Sequence, residues 1–431
     1  RDKLSRDFIL TFLSRIGITF LAAITSVVLA RLLGASEYGR FVFAYSIIFL
    51  TLLPAKFGLD GAAVKFVAEY TAVRDFKRLV GFINASRRYL AFSTLVGIVL
   101  ILLVIGLKIV PLDDRGSLLA LAALPSFALL AQLHLDGQVL NGLKQTAIAS
   151  FPEGGLRAFI LVLLLAIVYV AKFPLSADIA LLMNGFAVLC ALIFSRRWIR
   201  WYCKRYDLPR VGVAEPKRWI FTGASHLLIS CSHVILSQTD LFMLGILQNS
   251  ASVGLYSAAL QLSSFLLFFG NAINPVVTPR MATAFSTGDR SELFRIAHLG
   301  VNLSFALTLP LFLLFLIFGD SLIVILFGRE FSQSSLIFLF LLLGQLAKVV
   351  SSPIGFVFTM TERERIASFI IGLSALLNLI LNLMLIPQFG AVGAACATCL
   401  SAWVWNGTLI YIVWRDYGEL LLPSFTFFRR K

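Results

Sequence analysis

The sequence predicts an all-α integral membrane protein, with about twelve transmembrane helices in two pseudo-symmetric lobes of six. Three observations predict it. Of 431 residues, 59% are hydrophobic and only 14% are charged, with a mean hydropathy of +0.91; a soluble chain carries about a quarter charged residues. The apolar residues come in blocks of spanning length. The second half of the chain repeats the first at a nearly constant offset.

So much apolar surface needs lipid as its solvent. A net charge of +15 would suggest nucleic acid for a soluble protein. Here the basic excess marks the cytoplasmic side of a membrane, and no nucleic-acid partner is expected. The five cysteines, Cys190, Cys203, Cys231, Cys396 and Cys399, lie mostly in apolar stretches and imply no disulfide framework. Cys396-x-x-Cys399 has no second pair. Its context, "GAVGAACATCLSAW", reads as small residues for close helix packing, so no metal or other cofactor is expected.

A span needs about 20 residues. The spans fall at 8–33, 38–64, 82–108, 117–142, 147–171, 176–199, 218–242, 253–281, 296–318, 332–360, 366–386 and 391–414. The first is too long for a signal-peptide core and is read as a true span. With the N-terminus cytoplasmic, inside segments hold 25 of the 37 Lys and Arg residues and outside segments hold six. Both termini are therefore expected on the cytoplasmic side. The N-lobe covers 1–203, an inter-lobe loop covers 204–216, and the C-lobe with its short basic tail covers 217–431.

The repeat supports this division. A shift of 215 residues sets Gly39 on Gly254, Ala44 on Ala259 and Lys65 on Arg280; a shift of 218 sets "IASF" at 148–151 on "IASF" at 366–369. Six spans per half is an even number, so both copies have the same orientation, as in parallel-repeat transporters. The second span carries Pro54, Gly58 and Gly61, and its copy carries Gly270, Asn274, Pro275 and Pro279. Paired interruptions mark either a site between halves or kinks that serve packing.

Six basic residues lie in spans or at their ends: Arg15, Lys56, Lys65, Arg157, Arg280 and Lys348. An ionisable group at mid-membrane costs roughly 2.5–3.5 kcal/mol on insertion scales, so it usually faces a wet cavity. Lys348 and Arg157 fall nearest the middle of their spans. Glu153 stands four residues before Arg157 in the favourable acid-then-base order and is expected to hold it. Lys348 has no acid in its own span. Arg15, two turns into the first span, is either a cavity cation or a residue snorkelling to the inner face. Asp60 is expected to pair with Lys56, and Lys65 with Glu69, which makes "FGLDGAAVKFVAEY" a cavity entrance partly neutralised by its own charges. In the seventh span His226, Ser230, His233, Ser237 and Asp240 are spaced 4, 3, 4, 3. That is one polar helical stripe. It is either a proton-binding line in a coupled cycle or the wall of a hydrated cavity.

"ARLLGASEYGRFVFAYSIIFL" followed by "FGLDGAAVKFVAEY" resembles the opening of the O-antigen and polysaccharide flippases (Wzx type) of the multidrug/oligosaccharidyl-lipid/polysaccharide (MOP) exporter superfamily. "LLLGQLAKVVSSPIGFVFTMTERERIASF" is similar to that family's tenth span and following loop, and "NLILNLMLIPQFGAVGAACAT" to its eleventh-to-twelfth junction. The resemblance implies a MATE-like fold, with two six-helix lobes around a central cavity open to one side at a time. It implies a bacterial inner-membrane flippase for undecaprenyl-pyrophosphate-linked oligosaccharides. It also implies a coupling ion, H+ or Na+, and downstream polymerase or assembly proteins as partners. Arg15, Arg157, Arg280, Lys348, Lys56 and Lys65 would face the pyrophosphate and sugars. Asp60, Glu69, Glu153, His226, His233 and Asp240 would supply ion coupling or counter-charge.

The rival within the superfamily is a MATE-like multidrug exporter driven by H+ or Na+. It calls for unpaired acids at mid-membrane, whereas the charges here are mostly basic. No outer segment is long enough for glycan chemistry, and there is no phosphate-binding G-x-x-x-x-G-K loop, so the protein is not expected to be an enzyme.

Overall fold

The structure is a computed structural model. It describes the backbone of residues 2–107, 114–209, 211–213, 215–361 and 363–423, with side chains there except at 2–16, 104, 114, 147, 228, 229, 232, 233 and 364. Among these residues the regular structure is helical throughout. Asp2–Lys56 hydrogen-bonds as one helix but kinks at Gly34 (φ 73°, ψ 172°), and Glu364–Tyr417 kinks likewise at Gly390 (φ 56°, ψ −134°). Glycine tolerates these positive φ values without a Cβ clash. Each long helix therefore supplies two membrane passes, at 2–33 and 35–56 and at 364–389 and 391–417.

Phe76–Gly106, Asp114–Gly142, Ala177–Arg205, Pro216–Leu247 and Arg290–Phe327 each form one span. Among the described residues three spans besides the second are interrupted. The fifth runs Thr146–Ser150, a π-helical Phe151–Leu156, then Arg157–Val170. The eighth runs Ser250–Ser263, a tightened Ser264–Leu266, then Leu267–Ser286. The tenth runs Arg329–Ser334, Ser335–Ser351 and Ile354–Met360. Among the described residues the helices make twelve passes, and the chain is a multi-pass membrane protein.

The break expected in the second span is present. The helix stops at Lys56, Phe57 and Gly58 take φ of 48° and 68°, and a new helix runs Leu59–Ala72. In the eighth span the bend instead falls at Ser264–Leu266, ahead of Gly270 and Asn274, while Pro275 and Pro279 sit inside a continuing helix. Membrane helices tolerate proline where neighbouring groups satisfy the freed carbonyls.

The chain divides into two compact units, one of residues 1–33 and 40–238 and one of residues 34–39 and 239–431. The division falls inside the seventh span, whereas the sequence places it in the loop 204–216. The loop explains the difference. It is strapped onto the first unit, where Val213 N–H donates to Lys77 O (3.1 Å) and Glu215 lies 2.9 Å from Arg78. Trp219, at the start of the seventh span, is buried in the same core as Phe66 and Phe82, and its Nε1 donates to Tyr70 Oη (3.0 Å). The second unit has its own core, around Met281, Phe294, Val301, Ile354 and Phe358.

Gly39 and Gly254, matched by the repeat, touch each other within the second unit. A Cβ on Gly39 would stand 1.7 Å from Ser250 O and 2.9 Å from Gly254 N. Both obstacles are backbone atoms, so no side chain can yield. Gly39→Leu is expected to lower the thermal stability of detergent-purified protein at or above the top of the usual overpacking cost of about 1–3 kcal/mol. Gly355→Ala, which meets open space, should leave the melting temperature unchanged. Equal melting temperatures for the two variants would contradict this packing.

Candidate functional site

A chain of charged and polar groups runs through the first unit. The π-helical turn Phe151–Leu156 aims Glu153 and Arg157 inward; such turns mark functional sites in many helices. Arg157 is held by three neutral oxygens. Its Nε donates to Glu153 O (3.0 Å), and one terminal nitrogen donates to Tyr45 Oη (2.5 Å) and Asn184 Oδ1 (3.1 Å). Asn184 in turn donates to Ser126 Oγ (3.0 Å), and both residues are fully buried. Arg157 makes no salt bridge among the described residues, so the carboxylate of Glu153 is not its partner, contrary to the expectation from spacing. Glu153 Oε1 lies instead 2.9 Å from His134 Nε2. The π turn reorients the side chains, and the expected one-turn pair does not form.

Beyond His134 the chain continues to Lys56, whose Nζ is 3.3 Å from His134 Nδ1 and 2.8 Å from Asp60 Oδ2. Lys56 ends one helix and Asp60 begins the next, where helix dipoles favour a cation and an anion respectively. The expected Lys56–Asp60 contact is thus present. The Lys65–Glu69 contact is not. Glu69 receives two hydrogen bonds from Arg218, at 2.7 and 3.0 Å, and exposed Lys65 lies over the Phe66 ring at 5.9 Å.

In the second unit the focus is Asp240, which is 5% exposed. Tyr256 Oη (2.6 Å) and Thr398 Oγ1 (2.5 Å) donate to its Oδ2, and Asn382 Nδ2 (2.6 Å) donates to its Oδ1. Asn378 Oδ1 accepts the other Asn382 amide proton (3.0 Å), while Asn382 Oδ1 is buried without a hydrogen-bond partner. Lys348 stands in the last turn of Ser335–Ser351 and feels the charge of Asp240. Among the described residues its ammonium has no hydrogen bond or salt bridge. Arg280 is exposed and lines a groove of about 700 Å³ in which Arg295 is already bound to Glu292 at 2.6 Å.

The described residues of the seventh-span stripe have different surroundings. His226 packs against Gly61 in the first unit, with its Cγ 2.8 Å from where a Gly61 Cβ would be. Ser237 is exposed and bonds its own turn at Val234 O (3.2 Å), and Asp240 belongs to the second unit. The side chains of Arg15 and His233 lie outside the described residues.

His134, Tyr45, Asn184, Asn382 and Thr398 are site residues that the sequence reading missed. A signal existed for the first, because "LLAQLHLDGQ" places His134 and Asp136 inside a span. Asp136 is fully buried between Arg87 (2.7 Å) and Arg196 (3.7 Å), two basic residues that the sequence assigns to the cytoplasmic side.

Comparison with known proteins places the architecture. The family model described as "Polysaccharide biosynthesis protein" matches residues 4–285. The chain belongs to this family. The MatE model matches residues 227–384. The "Probable low-salt glycan biosynthesis flippase Agl15" of Haloferax volcanii is 26% identical over 401 residues, which is 90% of this chain and 76% of that protein. The "Probable lipid II flippase MurJ" of Rhizobium meliloti is 28% identical over 165 residues, 36% of this chain and 31% of that protein. Among solved structures, an inward-facing multidrug resistance MATE family transporter superposes with a TM-score of 0.73 at 12% identity, covering 95% of this chain and 98% of that one. Lipid II flippase MurJ, inward closed, gives 0.70 at 15% identity over 94% of this chain and 87% of that one. At these identities the structural likeness carries the fold. This family member is a transporter of the MOP superfamily.

Proposed function

We propose that the protein is a flippase for polyprenyl-pyrophosphate-linked oligosaccharides, the polyprenyl being undecaprenyl. It carries them from the cytoplasmic to the outer leaflet of the bacterial inner membrane by alternating access, for O-antigen or exopolysaccharide synthesis. Both termini face the cytoplasm, and polymerase or assembly proteins receive the unit outside. The observation that carries this reading is the state of Arg157. Among the described residues its guanidinium meets three neutral oxygens and no carboxylate, and one terminal nitrogen has no hydrogen bond. Arginine suits pyrophosphate because its planar fork binds two phosphate oxygens together. Lys348 offers a second cation that has no direct partner among the described residues. A carrier of organic cations would instead present unpaired acids. The names of Agl15 and MurJ as flippases support the same substrate class.

Coupling to H+ or Na+ is assigned to Asp240. Its carboxylate and the Thr398 hydroxyl, with Asn378 Oδ1 joined to them through the Asn382 amide, supply oxygens of the kind hard cations select. Without a cation, the carboxylate can take a proton.

Native mass spectrometry of gently purified protein tests the substrate class. A co-purifying polyprenyl-pyrophosphate sugar is the expected result. Ordinary phospholipid alone, together with saturable binding of organic cations, would replace this reading with that of a drug exporter.

A further inference from the structure

His134 links the two charged ends of the first unit's polar chain. Its ring is 11% exposed, that of a buried group, between Lys56 (13%) and the more open Glu153 (43%). Lys56 fixes the chemistry of this contact. An ammonium has only donors, so His134 Nδ1 must accept at 3.3 Å, and the ring must be neutral with its proton on Nε2, toward Glu153. The Nε2–Oε1 separation of 2.9 Å is an ion-pair distance, although the geometry departs from a straight hydrogen bond. A second proton would turn Nδ1 into a donor. Two donors cannot share that contact, so Lys56 would lose it and keep Asp60 alone as partner.

We propose that His134 is a proton-binding site of the transporter, reached through Glu153, whose occupancy decides whether Lys56 is anchored on the imidazole or released from it. His134 acts through Lys56 and is a positioning residue. Among the described residues, two cations and two anions stand in its own hydrogen-bonded chain. Lys56 and Asp60 face it from the second span, and Glu153 and Arg157 from the fifth. Tyr45 from the second span and Asn184 from the sixth are neutral and bind Arg157. Arg87 from the third span and Arg196 from the sixth are bound to Asp136, two residues along the fourth. The added proton would thus add to an excess of cations among these groups, and Lys56 is the group it displaces. A lysine freed in this way becomes available to an anion, which links proton uptake to the substrate class proposed above. The proton site itself does not depend on that class.

The test is a histidine-selective nitrogen NMR titration of the full-length protein in lipid nanodiscs. The chain has four His residues, so His134 is assigned by its absence in His134→Gln. The expected result is the Nε2–H tautomer at the alkaline end and a second proton gained as the pH falls. Lys56→Met and Glu153→Gln should move the midpoint in opposite senses, by about one pH unit each, since one removes a neighbouring cation and the other an anion. Glu153→Gln, at the open end of the chain, serves if Lys56→Met does not fold. A ring that stays neutral over the whole range overturns the proposal, as does an Nδ1–H tautomer or a midpoint that neither variant moves. Since no glycan enters this titration, its failure is separate from a failure to find polyprenyl lipid on the protein.

Discussion

Replacing Arg157 with glutamine is expected to abolish glycan export, by a hundredfold or more, in cells that still insert the protein into the membrane. A hundredfold corresponds to about 2.7 kcal/mol of lost transition-state stabilisation, within reach of one charge-assisted phosphate contact in a poorly hydrated site. The variant keeps hydrogen-bonding capacity toward Tyr45 and Asn184 but loses the cation. Arg157→Lys keeps the cation but cannot reach Glu153 O, Tyr45 and Asn184 together, and should retain part of the activity. A purely structural role predicts a different order, in which export loss follows the melting temperature through both variants and through Tyr45→Phe. Charge reversal at the other cation, Lys348→Glu, should be as damaging. Normal export by Arg157→Glu combined with Lys348→Glu would refute the cationic-site reading.

Asp240→Asn is expected to stop transport and also to cost stability. The native carboxylate accepts three hydrogen bonds, two of them on Oδ2. An asparagine offers one acceptor oxygen and turns an NH2 group toward donors on the other side. Hydrogen bonds to a charged group contribute about 1.5–3 kcal/mol, and a buried group left unsatisfied costs a further 1–3 kcal/mol. A loss of roughly 2–4 kcal/mol is therefore expected, measured as a lower melting temperature in detergent. Lys348 supplies an internal check, because it feels the charge of Asp240. Lys348→Gln should cost less in the Asp240→Asn background than in the native one, and the double-mutant cycle reads the difference. Full stability and full export by Asp240→Asn would remove this carboxylate from both roles.

Much of the site's composition was legible in the chain, and much of its wiring was not. Arg157, Lys348, Lys56, Asp60, Glu153 and Asp240 stand out because ionisable residues in apolar segments are expensive. The Lys56–Asp60 contact follows from one-turn spacing across a helix break. The same rule misled for Glu153 with Arg157, where a π turn changes the side-chain register, and for Lys65 with Glu69, where Arg218 arrives from the seventh span. His134 lacks the signal that marks His226 and His233, because its nearest polar neighbours Gln132 and Asp136 stand two residues away rather than at helical spacing. Asn184, Asn382 and Thr398 carry no signal of their own, since neutral polar residues in spans also serve helix packing.

Hydropathy, basic-residue asymmetry and the internal repeat were enough to predict an all-α multi-pass membrane protein with a repeated architecture, because lipid imposes length and periodicity on each segment separately. The partner of each buried charge was decided only by tertiary structure. Spacing along one helix limits which groups can meet on its own surface. Whether Glu153 meets His134, or Asp240 meets Asn382 142 residues away, depends on helices packing to within hydrogen-bond distance. In a poorly hydrated interior those few ångströms set the interaction energy.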